Sequence, residues 1–347
     1  MLDFSIIIPT YNRSNYLKLS ILSVLRQKRV SMEIIVSDDC SIDDTKQVVE
    51  SFGDKRIKYW KNRKRLGTAM NYQKCFLRSS GRYIFTLGDD DLILDEYTLI
   101  DILAVMKKYK LGMGKIGTIT YENDLKAPYQ VSILGDRLIV LAPDKTSDIL
   151  TESIDFGLGF FSGLIFDNVR LDKKQLRLDH TCHPNHMCPV ERPAAYDLIT
   201  KYGIAYIPHH FIISHLSLQL IPRYFNLKTS GWFFMEKPIT LARRFISGYQ
   251  FERFKKEYLR KQLVLLPNIK FFSDTGNYIS VLQRMVAIDK TLLIDSGFLF
   301  WALTGFLPKF MINGLRHYKI LHSHRKVNEI LAKYDYYKKI ARFNTVL

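Results

Sequence analysis

The sequence predicts an α/β fold: a mostly parallel central sheet with helices on both faces. Two patterns in the first 110 residues predict it. Short β-branched apolar runs alternate with stretches of helical apolar spacing, and polar clusters recur directly after the apolar runs. Composition agrees, since 47% hydrophobic and 24% charged residues over 347 positions supply a sizeable core. That length suits about two domains. With Gly at 18 and Pro at 11, a collagen-like or linker-dominated chain is excluded.

Phe4 to Pro9 (FSIIIP) reads as a buried strand, followed by a polar turn over Thr10 to Asn15. Leu17, Ile21, Val24 and Leu25 then space a helix over Tyr16 to Arg26. Glu33 to Ser37 is a second strand that runs into Asp38 and Asp39. Asp43 or Asp44 can cap a helix over Thr45 to Phe52. Ile57 to Trp60 is a third strand, Gly67 opens the next helix, and Tyr83 to Leu87 is a fourth strand ending in Gly88-Asp89-Asp90-Asp91. A helix over Tyr97 to Tyr109 follows. Two or three strands are expected over residues 115–142. A loop leading into a strand is expected over Asp155 to Asp167, a helix over Pro193 to Tyr202, and a strand at IAYIP. In an open α/β sheet the ligand lies beyond the carboxyl ends of the strands. Thr10 to Arg13, Asp38–Asp39 and Asp89–Asp91 all fall at such ends, so one crevice is expected to collect them.

Lys and Arg number 51 against 34 Asp and Glu, a formal charge of +17, so the surface should seek an anionic partner. A nucleic-acid partner lacks support: there is no helix-turn-helix signature, CxxC finger or RNP-like strand. Cys40, Cys75, Cys182 and Cys188 form no CxxC pair and are expected as reduced thiols. No stretch has 18 nearly continuous apolar residues, and no positive region precedes the first apolar run. Neither a transmembrane helix nor a signal peptide is expected.

Three adjacent carboxylates at Asp89–Asp91 repel one another unless a cation neutralises them. A hard divalent ion shared with substrate phosphates would do so, and a helix-capping acidic turn is the plainer alternative. Asp38 and Asp39 can accept hydrogen bonds from a nucleobase or ribose. Arg63, Lys64 and Arg65 ahead of Gly67 suit a phosphate at a helix start. The GxGxxG fingerprint is absent after the first strand, as is a P-loop ending in GK[ST], so neither a Rossmann dehydrogenase nor a P-loop NTPase is expected.

Taken in order, IIIPTYNR, IIVSDDCSIDDT, the helix opening near Gly67 and YIFTLGDDD resemble an inverting family 2 glycosyltransferase of the bacterial surface-polysaccharide type. The resemblance covers residues 3–110 most clearly and continues to about residue 215. It implies the GT-A nucleotide-diphospho-sugar transferase fold, here with a mainly helical C-terminal extension. It also implies a UDP-sugar donor and Mn2+ or Mg2+. Pro9, Thr10 and Tyr11 match positions lining the nucleotide, with Arg13 beside them. Asp39 matches the aspartate that holds the base, and Asp38 is the acidic residue before it. Arg63 or Arg65 approaches the nucleotide near Gly67. Asp90 matches the metal-contacting aspartate and Asp89 the ribose contact, with Asp91 a second metal candidate. The sequence departs from the commonest Asp-Ala-Asp-Asp form by placing Gly88 first.

The family mechanism implies direct displacement with a general base. Glu191, just before the predicted helix, is the first candidate, and Asp179, His183 and His186 are the others. His215 follows the last sheet strand, where this fold class can add a metal ligand. His180, Cys182, His183, His186 and Cys188 mix zinc-ligand types in no closed spacing and read better as an acceptor-side loop.

The expected domains are a catalytic domain over residues 1–222 and a helical basic region over residues 223–347. Residues 243–347 hold 19 Lys and Arg against 7 Asp and Glu. Ser296 to Pro308 carries no charge and is too short to span a bilayer. It suits a core helix, an oligomer contact or a helix on an anionic membrane surface. The partners expected are a nucleotide-sugar donor, a glycan or polyprenyl-diphosphate-linked acceptor, an anionic membrane surface and a homo-oligomeric copy, at the cytoplasmic face of the cell membrane. The alternative is a catalytically inactive nucleotide- or glycan-binding module of the same fold.

Overall fold

The structure, a computed structural model, describes residues 1–121, 128–132, 137–143, 161–176, 192–215, 239–263 and 275–304, with isolated positions beyond. The alternation begins with β1 (Phe4–Thr10), α1 (Ser14–Leu25), β2 (Met32–Asp38) and α2 (Thr45–Ser51). It continues with β3 (Ile57–Lys61), α3 (Thr68–Arg78) and β4 (Tyr83–Thr86). These four strands pair in the order β3-β2-β1-β4, all parallel, and Thr10 lies opposite Asp38 in the register. β1 is apolar at Phe4 and Ile6–Pro9, on both faces, because both are covered. Ile6 and Ile8 pack with Leu17, Ile21 and Val24 of α1, whereas Ile7 packs with Tyr72, Cys75 and Phe76 of α3.

The second half of the sheet is mixed. It contains β5 (Leu92–Ile93), β6 (Met113–Tyr121), β7 (Pro128–Ser132), β8 (Ile139–Leu141), β9 (Leu164–Asp167) and β10 (Ile204–His215), with α4 (Thr98–Tyr109) and α5 (Arg192–Tyr202) between them. β9 runs antiparallel between β4 and β6, and β6 and β10 pair in parallel. The parallel expectation therefore holds for the first four strands, and β9 interrupts it. The two runs IAYIP and HHFIISH form one strand, with a register shift between Ile207 and Phe211 and His209 at φ 68°.

The described C-terminal helices are α6 (Gly248–Gln262), α7 (Thr275–Ile288) and α8 (Ser296–Thr304), the last preceded by a 3-10 turn over Lys290–Ile294. Phe254 and Tyr258 of α6, Tyr278 and Met285 of α7, and Phe298 of α8 share one apolar cluster with Phe76 of α3 and Ala195 of α5. Position 222, the expected domain boundary, lies outside the described residues. Among the described residues, no helix is long and apolar enough to cross a membrane.

Asp43 ties the starts of two helices together. Its carboxylate accepts from the Ser14 amide at 3.0 Å and the Thr45 amide at 3.1 Å. Partial burial raises its pKa, but hydrogen bonds from Thr45 and Ser14 outweigh that and leave it lowered. Asp43→Ala should cost about 1–2 kcal/mol in a urea titration near neutral pH. Because the pKa is lowered, this contribution is present above the usual carboxylate range and should fade as pH falls through it. Burial pushes the Cys75 thiol up to about 12. Iodoacetamide at pH 8 should therefore leave Cys75 unmodified in the folded protein and alkylate it in denaturant, as read by peptide mass spectrometry.

Candidate functional site

The in-register ends of β1 and β2 bring their loops together. Asp39 donates its amide to the Thr10 carbonyl at 2.9 Å, and the Asn12 amide reaches Ser41 Oγ at 2.9 Å. The Asp39 carboxylate accepts from the Leu66 and Gly67 amides at 2.7 and 2.8 Å and from Asn62 Nδ2 at 3.1 Å. It thereby holds the loop before α3 against the end of β2. An ionised carboxylate has about four lone-pair sites, so one acceptor position is left over. Gly67 takes φ 84° at the start of α3, a conformation that a side chain would strain. Asn62 in turn bonds Asn71 Oδ1 at 2.9 Å, and Asn71 Nδ2 bonds the Ser37 carbonyl at 2.7 Å. The loop is thus braced from α3 back to β2.

Asp38 behaves differently from its neighbour. It is fully buried, and its two oxygens accept from the Ser41 amide at 2.7 Å and the Tyr59 hydroxyl at 2.5 Å. Asp38, expected at the nucleotide, has both oxygens bonded within the β2 loop and its neighbouring strand. Across the crevice, Arg65 stacks its guanidinium over the Tyr11 ring at 4.3 Å. Arg63 is exposed on the same loop, and Pro9 ends β1 opposite Ser37.

The acidic turn after β4 meets the same first loop. Arg13 Nη1 lies 3.4 Å from Asp89 Oδ1 and pairs more closely with Asp90 Oδ2. Burial lowers the Arg13 pKa, but the charges of Asp90 and Asp89 reverse the effect and raise it. Burial and the charge of Asp90 push Asp89 up to about 7, against the pull of Arg13. Asp90 is the most open of the three, with its side chain 25% exposed. Asp91 is buried, and its carboxylate accepts from Ser162 Oγ and from Ser214. Its carboxylate, expected as a second metal candidate, is held by these two serines. The Gly88 backbone is clamped from both sides: its amide donates to Ser162 Oγ at 2.8 Å, and its carbonyl accepts from Ser20 Oγ at 3.1 Å.

The loop Thr10–Arg13 therefore touches Asp39 on one side and Asp89 and Asp90 on the other. Glu191, Asp179, His183 and His186 lie outside the described residues, and His215 is described only by its backbone, as the last residue of β10. Reasoning from sequence missed Ser20, Asn62, Asn71, Lys115, Ser162 and Ser214. A faint signal existed for Ser20, a polar residue on the apolar stripe of α1, and for Lys115, a charge inside a strand.

These donors bear on a divalent cation. Among the described residues, no group of three or more His, Cys, Asp or Glu is arranged to hold a metal alone. Asp90, with Asp89 beside it, instead supplies hard oxygen donors at an open edge. That fits Mg2+ or Mn2+ held by one or two carboxylates plus substrate phosphates.

Residues 5–169 match the family model described as Glycosyl transferase family 2. Over 97 residues the chain is 41% identical to a GalNAc(5)-diNAcBac-PP-undecaprenol beta-1,3-glucosyltransferase of Campylobacter jejuni, covering 27% of this chain and 31% of that one. Over 103 residues it is 36% identical to the UDP-Glc:alpha-D-GlcNAc-diphosphoundecaprenol beta-1,3-glucosyltransferase WfgD of Escherichia coli, covering 30% and 41%. The match thus spans under half the length of these relatives. Among solved structures, residues 1–349 of S. aureus TarS in complex with UDP-GlcNAc align with a TM-score of 0.62 at 15% identity, covering 94% of this chain and 92% of that one. Residues 5–169 therefore carry a glycosyl transferase family 2 domain, in a GT-A-like α/β fold.

Proposed function

We propose that this protein transfers a sugar, with inversion, from a UDP-sugar to a hydroxyl of a glycan acceptor carried on a polyprenyl diphosphate, in bacterial surface-polysaccharide synthesis. One observation carries the reading: a single loop, Thr10–Arg13, joins a base-binding candidate, Asp39, to the acidic turn at Asp89 and Asp90. A nucleoside diphosphate needs both kinds of contact at one crevice. The two bacterial relatives named above act on undecaprenyl-diphosphate-linked glycans, which supports the acceptor class.

In this scheme Tyr11 and Arg65 flank the base, and the remaining acceptor position of Asp39 takes a base N–H. Asp89 bonds the ribose, and Asp90 with Asp89 would hold Mn2+ or Mg2+ on the diphosphate. The cation, when bound, supplies charge neutralisation for the leaving diphosphate. Arg13 sits where it can turn from the two carboxylates to the phosphates. The general base comes from the segment ahead of α5, with Glu191 as first choice over Asp179 and His186.

The same reading places the protein at the inner face of the membrane, where a lipid-linked acceptor is presented. α8 and the turn before it bury Phe298 but leave Ile294 85% and Leu303 67% exposed, with Phe300 and Leu293 also exposed and Phe306, beyond the helix, 62% exposed. A run of such side chains in a region holding 19 Lys and Arg against 7 Asp and Glu suits an anionic lipid surface.

Two outcomes test these points. Product release from a UDP-sugar panel should require Mn2+ or Mg2+ and stop with chelator. Asp90→Asn should lower it about 100-fold or more, with the thermal midpoint nearly unchanged. Full activity in that variant would reject the role of Asp90. Vesicles containing phosphatidylglycerol should co-sediment with the protein in a salt-sensitive manner, and Phe300→Glu/Leu303→Glu should abolish this. Loss of a dimer in that variant, without vesicle binding by the parent, would assign the ridge to a second copy.

A further inference from the structure

Beneath the Gly88–Asp91 turn lies a polar network that takes no part in the transfer scheme. Lys115, in β6, is buried, and its Nζ donates to the Ser162 carbonyl at 2.6 Å. Ser162 is fully buried between Lys115 and the turn. Its Oγ accepts from the Gly88 amide at 2.8 Å and donates to Asp91 Oδ2. Ser214 of β10 bonds the same carboxylate. The fit is close, since a Cβ placed on Gly88 would sit 2.7 Å from Asp91 Oδ2. Burial pushes Lys115 down to about 7, and the nearby Asp91 carboxylate pulls it back toward its ordinary value.

A lone buried ammonium or a lone buried carboxylate is costly, so each is tolerated through the other and through the hydroxyls around them. We propose that Lys115 is a positioning residue: through Ser162 it holds Asp91 under the turn, and so presents Asp89 and Asp90 to the crevice. The benefit to donor binding rests on the function proposed above, whereas the hold on the turn does not.

This predicts a compensation that simple packing would not give. Removing the lysine alone strands Asp91, while removing both charges leaves a neutral network. Amide hydrogen exchange of residues 87–94 in the nucleotide-free protein should rise about tenfold in Lys115→Met and return toward the parent value in Lys115→Met/Asp91→Asn. Calorimetry with UDP and Mn2+ should show affinity about tenfold weaker in Lys115→Met and recovered in the double variant, with affinity in chelator unchanged. Recovery would also separate Asp91 from the cation ligands, because loss of a lysine cannot replace a lost ligand. Should Lys115→Met not fold, Ser162→Ala is expected to raise exchange at Gly88 and Asp91 and to weaken only the Mn2+-dependent affinity. Parent-like exchange in Lys115→Met, or a double variant no better than the single, would overturn the proposal. If the parent itself does not bind UDP with Mn2+, the proposed function fails while the exchange arm still decides whether Lys115 holds the turn.

Discussion

Three consecutive carboxylates at the end of a buried strand repel one another, and the structure around β4 is arranged to offset that repulsion. Each is handled differently. Asp90 stays partly exposed and pairs with Arg13 from the first loop. Asp89 is buried, shares Arg13, and has its pKa pushed up. Asp91 turns inward to Ser162 and Ser214, with Lys115 one residue further in. The division of labour follows from electrostatics, because three equivalent carboxylates could not all remain charged in so little solvent. It also links parts of the sheet distant in sequence: β1 supplies the loop with Arg13, α1 supplies Ser20, β6 supplies Lys115 and β10 supplies Ser214.

The parallel half of this fold was legible because its cause is local. FSIIIP is apolar on both faces, and the polar residues directly after it mark the strand end, so both β1 and the crevice follow from the pattern. The direction of β9 was not legible. A four-residue buried strand reads the same whether it pairs parallel or antiparallel, and only its pairing with β4 and β6 shows its direction. β10 read as two runs because the bulge around His209 breaks the alternation. Asp38 and Asp39 show the same limit at the site. Both follow a buried strand, but the residue period of two turns neighbours to opposite sides, and only the partners Tyr59 and Leu66 tell which became framework and which stayed near the crevice. Lys115 was illegible for a further reason: nothing adjacent in sequence neutralises it, and Ser162 lies 47 positions away.

The charge of the chain sets the context for this acidic turn. A net +17 gives a field that draws anionic nucleotides and anionic headgroups alike. Such a field would hold a nucleoside diphosphate anywhere on the surface, so it cannot specify a site. The carboxylates add the selection. In the proposed scheme a bare diphosphate would be repelled by Asp89 and Asp90, whereas one carrying a divalent cation would be held by them. Under that scheme a basic chain with an acidic turn at its site would favour the cation-loaded donor over the free nucleotide.

Gly88 shows how closely turn and network depend on each other. The commonest family form has an aspartate at this position, and this chain has a glycine. With Asp91 folded back under the turn, a Cβ at 88 would sit 2.7 Å from Asp91 Oδ2, closer than real Cβ atoms approach, and a tight 3.2 Å from Asp90 Oδ1. An aspartate there would also bring a fourth carboxylate into the same space, adding like charge where burial already lifts Asp89 and Asp91. The glycine and the inward Asp91 are therefore one feature. With Asp91 bonded to Ser162 and Ser214, a side chain at the head of the turn would have to push that carboxylate aside, and Gly88 leaves it in place.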